Sequence, residues 1–209
     1  MKQGALVRVF GRATPERLNI FSDGVFAVLI TVLVLELHAP AEPSFDALLS
    51  HWPAFLSYAM SFLFIAVVWV NHHYLMRYAT EATPRLLWFN FACLFWMSWL
   101  PFSTAWMAAS KLAPQPVAFY AAICLVVNAT YFALIWELIE SSGTDVSVRK
   151  AMRYRSLATL CLFAVAAVTA LKYPLVALAI CFCCVIAYLR PEPPVGARAQ
   201  PAKKRKRTT

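Results

Sequence analysis

The chemically capable residues of this chain gather in two short stretches of otherwise apolar sequence. Arg17-Leu-Asn-Ile-Phe-Ser22-Asp23-Gly24 supplies a carboxylate, a hydroxyl and a guanidinium, and Trp69-Val-Asn71-His72-His73 supplies an amide and two imidazoles. A carboxylate near an imidazole supports three kinds of chemistry: mutual hydrogen bonding where water is scarce, proton transfer, or metal ligation. Adjacent histidines on a helix point about 100° apart, so His72 and His73 do not face one ion together, and few further ligands stand near them. Structural hydrogen bonding of Asp23 to His73, or to its neighbour His72, is therefore the leading expectation, with Arg17, Ser22 and Asn71 in the same polar network. Proton transfer stands behind it, and no metal or cofactor is expected. The six cysteines, Cys93, Cys124, Cys161, Cys181, Cys183 and Cys184, lie in apolar runs and read as small buried hydrophobes. No GxGxxG, Walker, HExxH or GxSxG motif occurs, so no enzyme is indicated.

The elements that position these groups are expected to cross a membrane. Of 209 residues, 61% are apolar and only 14% charged, too few charges to clothe a soluble core of this composition. Leu18–Leu37 is 20 residues long, enough for a helix to cross the hydrocarbon layer. Residues 1–17 lack the apolar core and small-residue cleavage site of a signal peptide, so this first run is expected to be retained. Further spans are expected at 52–76, 86–109 and 117–139, followed by two shorter ones at 157–171 and 173–189. Two alternatives stand beside this: a fifth helix beginning near Tyr154, or a helical hairpin over 157–189 that does not fully cross. The fold class is an all-α integral membrane protein with six transmembrane helices per chain: a cytoplasmic segment 1–17, a transmembrane domain 18–190, and a disordered basic tail 191–209.

Charge placement gives a separate check on the helix count. With the N-terminus in the cytoplasm, every Lys and Arg except Lys111 and Lys172 falls on the inner side, as the positive-inside rule requires of an even count. An odd count would put Lys203, Lys204, Arg205, Lys206 and Arg207 outside. After six membrane segments this basic patch reads as an anchor on anionic lipid headgroups and not as a nucleic-acid site, with the Pro-containing stretch before it as spacer. Such a chain is expected in the cell inner (plasma) membrane.

The first span carries more pattern than hydropathy alone. Val28, Val32 and Leu35 stack at i, i+4 and i+7 with Gly24 and Thr31 beside them, while Asp23 lies about 140° round the helix from Val28. A carboxylate on one side and an aliphatic stripe on another require protein or water on more than one flank. The stripe by itself fits ordinary lipid contact or packing. Elsewhere, Pro101 is expected to kink the third span, with Ser98 or Ser103 helping to satisfy the break. Trp88, Trp96, Trp99 and Trp106 read as packing and interface anchors, and Asn128 and Thr130 as partners between helices. Glu137 and Glu140 read as interfacial charges.

The motif Arg17-Leu-Asn-Ile-Phe21-Ser22-Asp23-Gly24-Val25-Phe26-Ala27, the Thr31 and LVLEL that follow, and Trp69-x-Asn-His-His together resemble the transmembrane protein 175 family of potassium-permeable channels. The resemblance spans roughly residues 12–190 and is of the prokaryotic type, with one six-helix repeat per chain. It implies a homotetramer in membrane lipid, with the first helix lining a central pore. It also implies an aliphatic constriction at Val28, Val32 and Leu35, tuned for selectivity by Thr31, in place of a carbonyl filter. The function implied is potassium permeation with modest preference over sodium. The runner-up is a proton- or cation-coupled secondary transporter using Asp23 and His72 or His73, for which no inverted repeats or broken midplane helix are visible.

Overall fold

The computed structural model describes residues 14–141 and 146–189, and every regular element among them is helical. Helix α1 is Pro15–Leu35, α2 Phe45–Ser50, α3 Trp52–Met76, α4 Pro84–Met97, α5 Leu100–Ala109, α6 Pro114–Ser141, α7 Val146–Ala170 and α8 Pro174–Ala187. Helix starts follow capping chemistry. Thr14 Oγ1 accepts the Arg17 N–H at 3.3 Å, Ser44 Oγ that of Ala47 at 3.1 Å, and Thr83 Oγ1 that of Leu86 at 3.1 Å. Pro15, Pro84 and Pro174 each open a first turn, where a missing N–H removes no helical bond.

Among the described residues, five stretches are long and apolar enough to cross a membrane: Pro15–Leu35, Trp52–Met76, Pro84–Ala109, Pro114–Glu140 and Arg149–Ala170, with Pro174–Ala187 a shorter apolar helix. The fold is thus an all-α, multi-span membrane architecture. α4 and α5 form one span broken at Ser98–Trp99, because Pro101 has no N–H to continue the ladder. Ser98 Oγ donates to Phe95 O at 2.6 Å and Ser103 Oγ to Leu100 O at 2.9 Å, so hydroxyls do flank the break.

Several expectations are corrected. α1 begins three residues before Leu18 and stops before Glu36 and Leu37. α7 is far longer than 157–171, since its basic turns remain helical. The Arg153 guanidinium lies 3.6 Å from the Trp136 ring centroid and 3.3 Å from Glu140, and Arg155 lies 4.0 Å from the Tyr188 ring centroid. Long stems can thereby run along the helix surface while the charges find partners at its end. Asn128 bonds to a carbonyl of its own helix, Cys124 O at 2.9 Å, whereas Thr130 bonds both to Val127 O at 2.8 Å and, between helices, to the Cys93 thiol of α4. Glu137 is more than an interfacial charge, since Arg85 lies 3.5 Å from it. Cys93, Cys124, Cys181 and Cys184 are buried as expected, but Cys161 and Cys183 are exposed. Residues 1–13 of the expected cytoplasmic segment, Arg190 and the expected tail 191–209 lie outside the described residues.

α6 is the centre of the bundle, packed against α4, α5, α7 and α8, and it buries Val117, Tyr120, Cys124, Val127 and Leu134. α3 joins α5 through Ser61 and Thr104, whose hydroxyls are 2.6 Å apart. α1 stands at the edge, on α3 with lighter contact to α4 and α5. Leu134→Ala should lower stability by about 2 kcal/mol or more through the cavity it leaves. Val165→Ala on the exposed side of α7 should change it far less; thermal unfolding in lipid nanodiscs checks both.

Candidate functional site

α1 is held by one face. Leu18, Ser22, Phe26, Leu29 and Leu33 are buried, at the spacing of four, four, three and four that keeps one ridge turned into the bundle. The opposite face is left open: Arg17, Ile20, Gly24, Ala27, Val28, Thr31, Val34 and Leu35 are exposed. Val28 is 59% and Leu35 75% exposed. Val32 is only half-buried, because it sits at the margin of this face towards the ridge. Thr31, expected beside the stripe, lies near the middle of the open face. Its Oγ1 donates to Val28 O at 2.7 Å, which directs the hydrogen inward and leaves lone pairs facing out. Gly24 makes no close approach within the chain, for a Cβ there would meet nothing within 4 Å.

The expected Asp23–histidine pair is replaced by two separate networks. Asp23 Oδ1 accepts from Trp69 Nε1 at 2.8 Å and Oδ2 from Asn19 Nδ2 at 3.2 Å, so both its oxygens are engaged without an imidazole. His72 is fully buried and donates from Nε2 to Asn90 Oδ1 at 2.7 Å. Asn90 Nδ2 donates in turn to Ser22 Oγ at 2.9 Å, and Ser22 Oγ to Leu18 O at 2.9 Å. A continuous buried chain therefore runs from α3 through α4 to α1. The physical reason is angular: His72 turns towards α4, and the carboxylate, on the flank of α1 beside α3, meets the indole of Trp69. His73 is half-buried beside Trp69, with ring centroids 6.1 Å apart. Asn71 Nδ2 donates to Val67 O at 2.8 Å and Tyr188 O at 3.1 Å, fastening the end of α8 to α3. Arg17 is exposed in the first turn of α1. Asn90 is the residue that sequence reading passed over. Its signal was a lone amide in the apolar run of the third span.

No group of three metal-ligating side chains gathers among the described residues. Asn90→Ala should leave the buried His72 Nε2–H without its acceptor, at roughly 1–3 kcal/mol, and take one of two bonds from Ser22, whose hydroxyl keeps Leu18 O. Trp69→Phe removes one donor to Asp23 and should cost less. Melting temperatures of the three proteins in nanodiscs test that order.

A model of the family described as the endosomal/lysosomal potassium channel TMEM175 matches residues 17–101, which include α1 from Arg17 onward and the whole Ser22–Asn90–His72 chain. A potassium channel of Chryseobacterium sp. (strain P1-3) is 31% identical over 182 residues, covering 86% of this chain and 94% of that one. The crystal structure of a lysosomal potassium-selective channel TMEM175 homolog from Chamaesiphon minutus superposes with a TM-score of 0.74 at 29% identity, covering 83% of this chain and 95% of that one. The endosomal/lysosomal proton channel TMEM175 of Gallus gallus is 31% identical over 134 residues, 58% of this chain and 26% of that one. The endosomal/lysosomal descriptions of the family and of this relative overturn the expected plasma-membrane location. Loop charge indicates which side of a bilayer is cytoplasmic and carries no information about which bilayer it is. The family match, the fold and the near end-to-end match agree: this chain belongs to the TMEM175 potassium-channel family, and it is a membrane cation channel, not an enzyme.

Proposed function

We propose that this chain conducts potassium through a pore made where the α1 helices of four copies converge around an axis. The observation that carries this reading is the open face of α1, apolar and uncovered by its own chain. One copy offers one such face, and a pore needs a ring of them. α8 supplies the sixth crossing, so that Pro15 and Leu189 lie on the same side of the membrane. Its 14 residues reach about 21 Å, and a helix this short crosses where the bilayer thins locally.

In this pore Val28 and Leu35 are the aliphatic constriction, Val32 flanks it, and Thr31 contributes outward oxygen lone pairs. A ring of aliphatic side chains dewets and closes; a modest rotation of α1 widens it for a partly hydrated cation. Potassium passes more readily than sodium because it sheds water more cheaply. Aliphatic groups replace none of the lost ligands, so the preference is modest and Thr31 supports it. Transport coupled to Asp23 and His72 or His73 has little geometric support: Asp23 is bonded to Trp69 and Asn19 while His72 is bonded to Asn90, and His73, beside Trp69, makes no hydrogen bond to the carboxylate.

Two expectations follow for purified protein in planar bilayers. Val28→Asn should raise leak current and erode cation discrimination, with Val32→Asn showing a smaller effect. Thr31→Val, which removes one hydroxyl from each of the four copies, should reduce the potassium-to-sodium permeability ratio roughly fivefold, equivalent to ~1 kcal/mol in all. Unchanged conductance and reversal potential in well-expressed Val28, Val32 and Leu35 variants would take this face out of the pore.

A further inference from the structure

The second and third spans each carry an exposed aromatic seam. Along α4 and α5, Trp88, Phe91, Phe95, Trp99, Phe102 and Trp106 are all exposed, recurring at steps of three and four residues over the whole span. On α3, Trp52, Phe55, Ala59, Phe62, Ala66 and Trp69 recur at the same steps; all are exposed except the half-buried Ala66. Here bulk alternates with alanine, which leaves recesses that a facing side chain fills. The seams flank α1 on opposite sides. Trp69 donates to Asp23 on one flank, and Phe91 meets Phe21 edge-on, with centroids 5.6 Å apart, on the other.

Lipid is a poorer match for these seams than protein. The outward residues of α7 and α8 are largely aliphatic, with Leu162, Val165 and Val168 on one and Leu175, Val176 and Ile186 on the other. Lipid-facing tryptophans favour the bilayer interfaces, where the indole N–H stays wet. Trp99, 39% exposed, lies mid-span between the exposed Phe95 and Phe102.

We propose that the α4–α5 seam of one copy packs on the α3 seam of the next, with Phe95 seated at Ala66 and Phe102 at Ala59. α3 and α4–α5 run in opposite directions from the turn at residues 77–83. Counting about 1.5 Å per residue from that turn brings each aromatic level with its alanine. Two different seams in contact make a heterologous interface, the kind that closes into a ring instead of a twofold pair. This rests on the proposed ring with α1 at its axis: turning α1 inward brings the flank carrying Trp69 opposite the neighbour's flank carrying Phe91.

The test is disulfide trapping in native membranes with the exposed Cys161 and Cys183 replaced by serine. Ala59→Cys and Phe102→Cys are placed on separate, co-expressed chains, alongside each chain alone. Mild oxidation should yield a cross-linked dimer only when both chains are present, and a chain carrying both substitutions should give a ladder up to four. Native mass spectrometry should show Ala59→Trp losing the tetramer and Ala158→Trp, on the exposed side of α7, keeping it. No cross-link in membranes whose parent protein is tetrameric, together with a tetrameric Ala59→Trp, would overturn the seam contact. Cross-linking of either chain alone would replace it with a twofold pair. A mixed-chain cross-link in a parent that is not tetrameric would keep the seam and sink the ring.

Discussion

Everything about the candidate pathway depends on α1 being anchored through one face. Between helices in lipid the hydrophobic effect supplies little, so van der Waals packing and satisfied polar groups must hold them together. Leu18, Phe26, Leu29 and Leu33 supply the packing ridge, and Ser22, on the same ridge, supplies the polar link through Asn90 to His72. Each of these groups is buried where no water relieves a missing partner. The chain of hydrogen bonds therefore sets the rotation of α1 about its own axis, and that rotation decides which residues remain open.

Asp23 refines this arrangement from the side. Its carboxylate on the α1 flank takes the Trp69 indole and the Asn19 amide, so a charged group is held beside the open face without entering it. Trp69 also belongs to the exposed seam of α3. One indole thus connects the motif of α1 to a surface suited to a neighbouring copy, which ties the rotation of α1 to the proposed assembly.

Much of the fold was legible because apolar runs of membrane-spanning length have few alternatives. The first four spans and the Pro101 break followed from run length and from the missing proline N–H. The fifth is short to a hydropathy reading because Arg149, Lys150, Arg153 and Arg155 resemble a loop, while stacking on Trp136 and Tyr188 keeps Arg153 and Arg155 on the helix. The site was legible in its cast more than in its pairings. Residue spacing indicates where a side chain points but not what stands opposite, so Asp23 was matched to a histidine when Trp69 was the nearer donor. Spacing of four and seven residues groups Val32 with Val28 and Leu35 on one face. Only the buried ridge of α1 separates a residue at the margin of the open face from those on it.

The most direct measurement is cysteine accessibility along α1 during single-channel recording, in protein with Cys161 and Cys183 replaced by serine. Cysteines at Gly24, Val28, Thr31 and Leu35 should each allow a water-soluble thiol reagent to block the unitary current. Cysteines at Phe26 and Leu29, on the buried ridge, and at Val165 on α7 should leave it unchanged. Intact current at all four α1 positions after exhaustive reagent, or block from Val165, would contradict the claim that the open face of α1 lines the ion path.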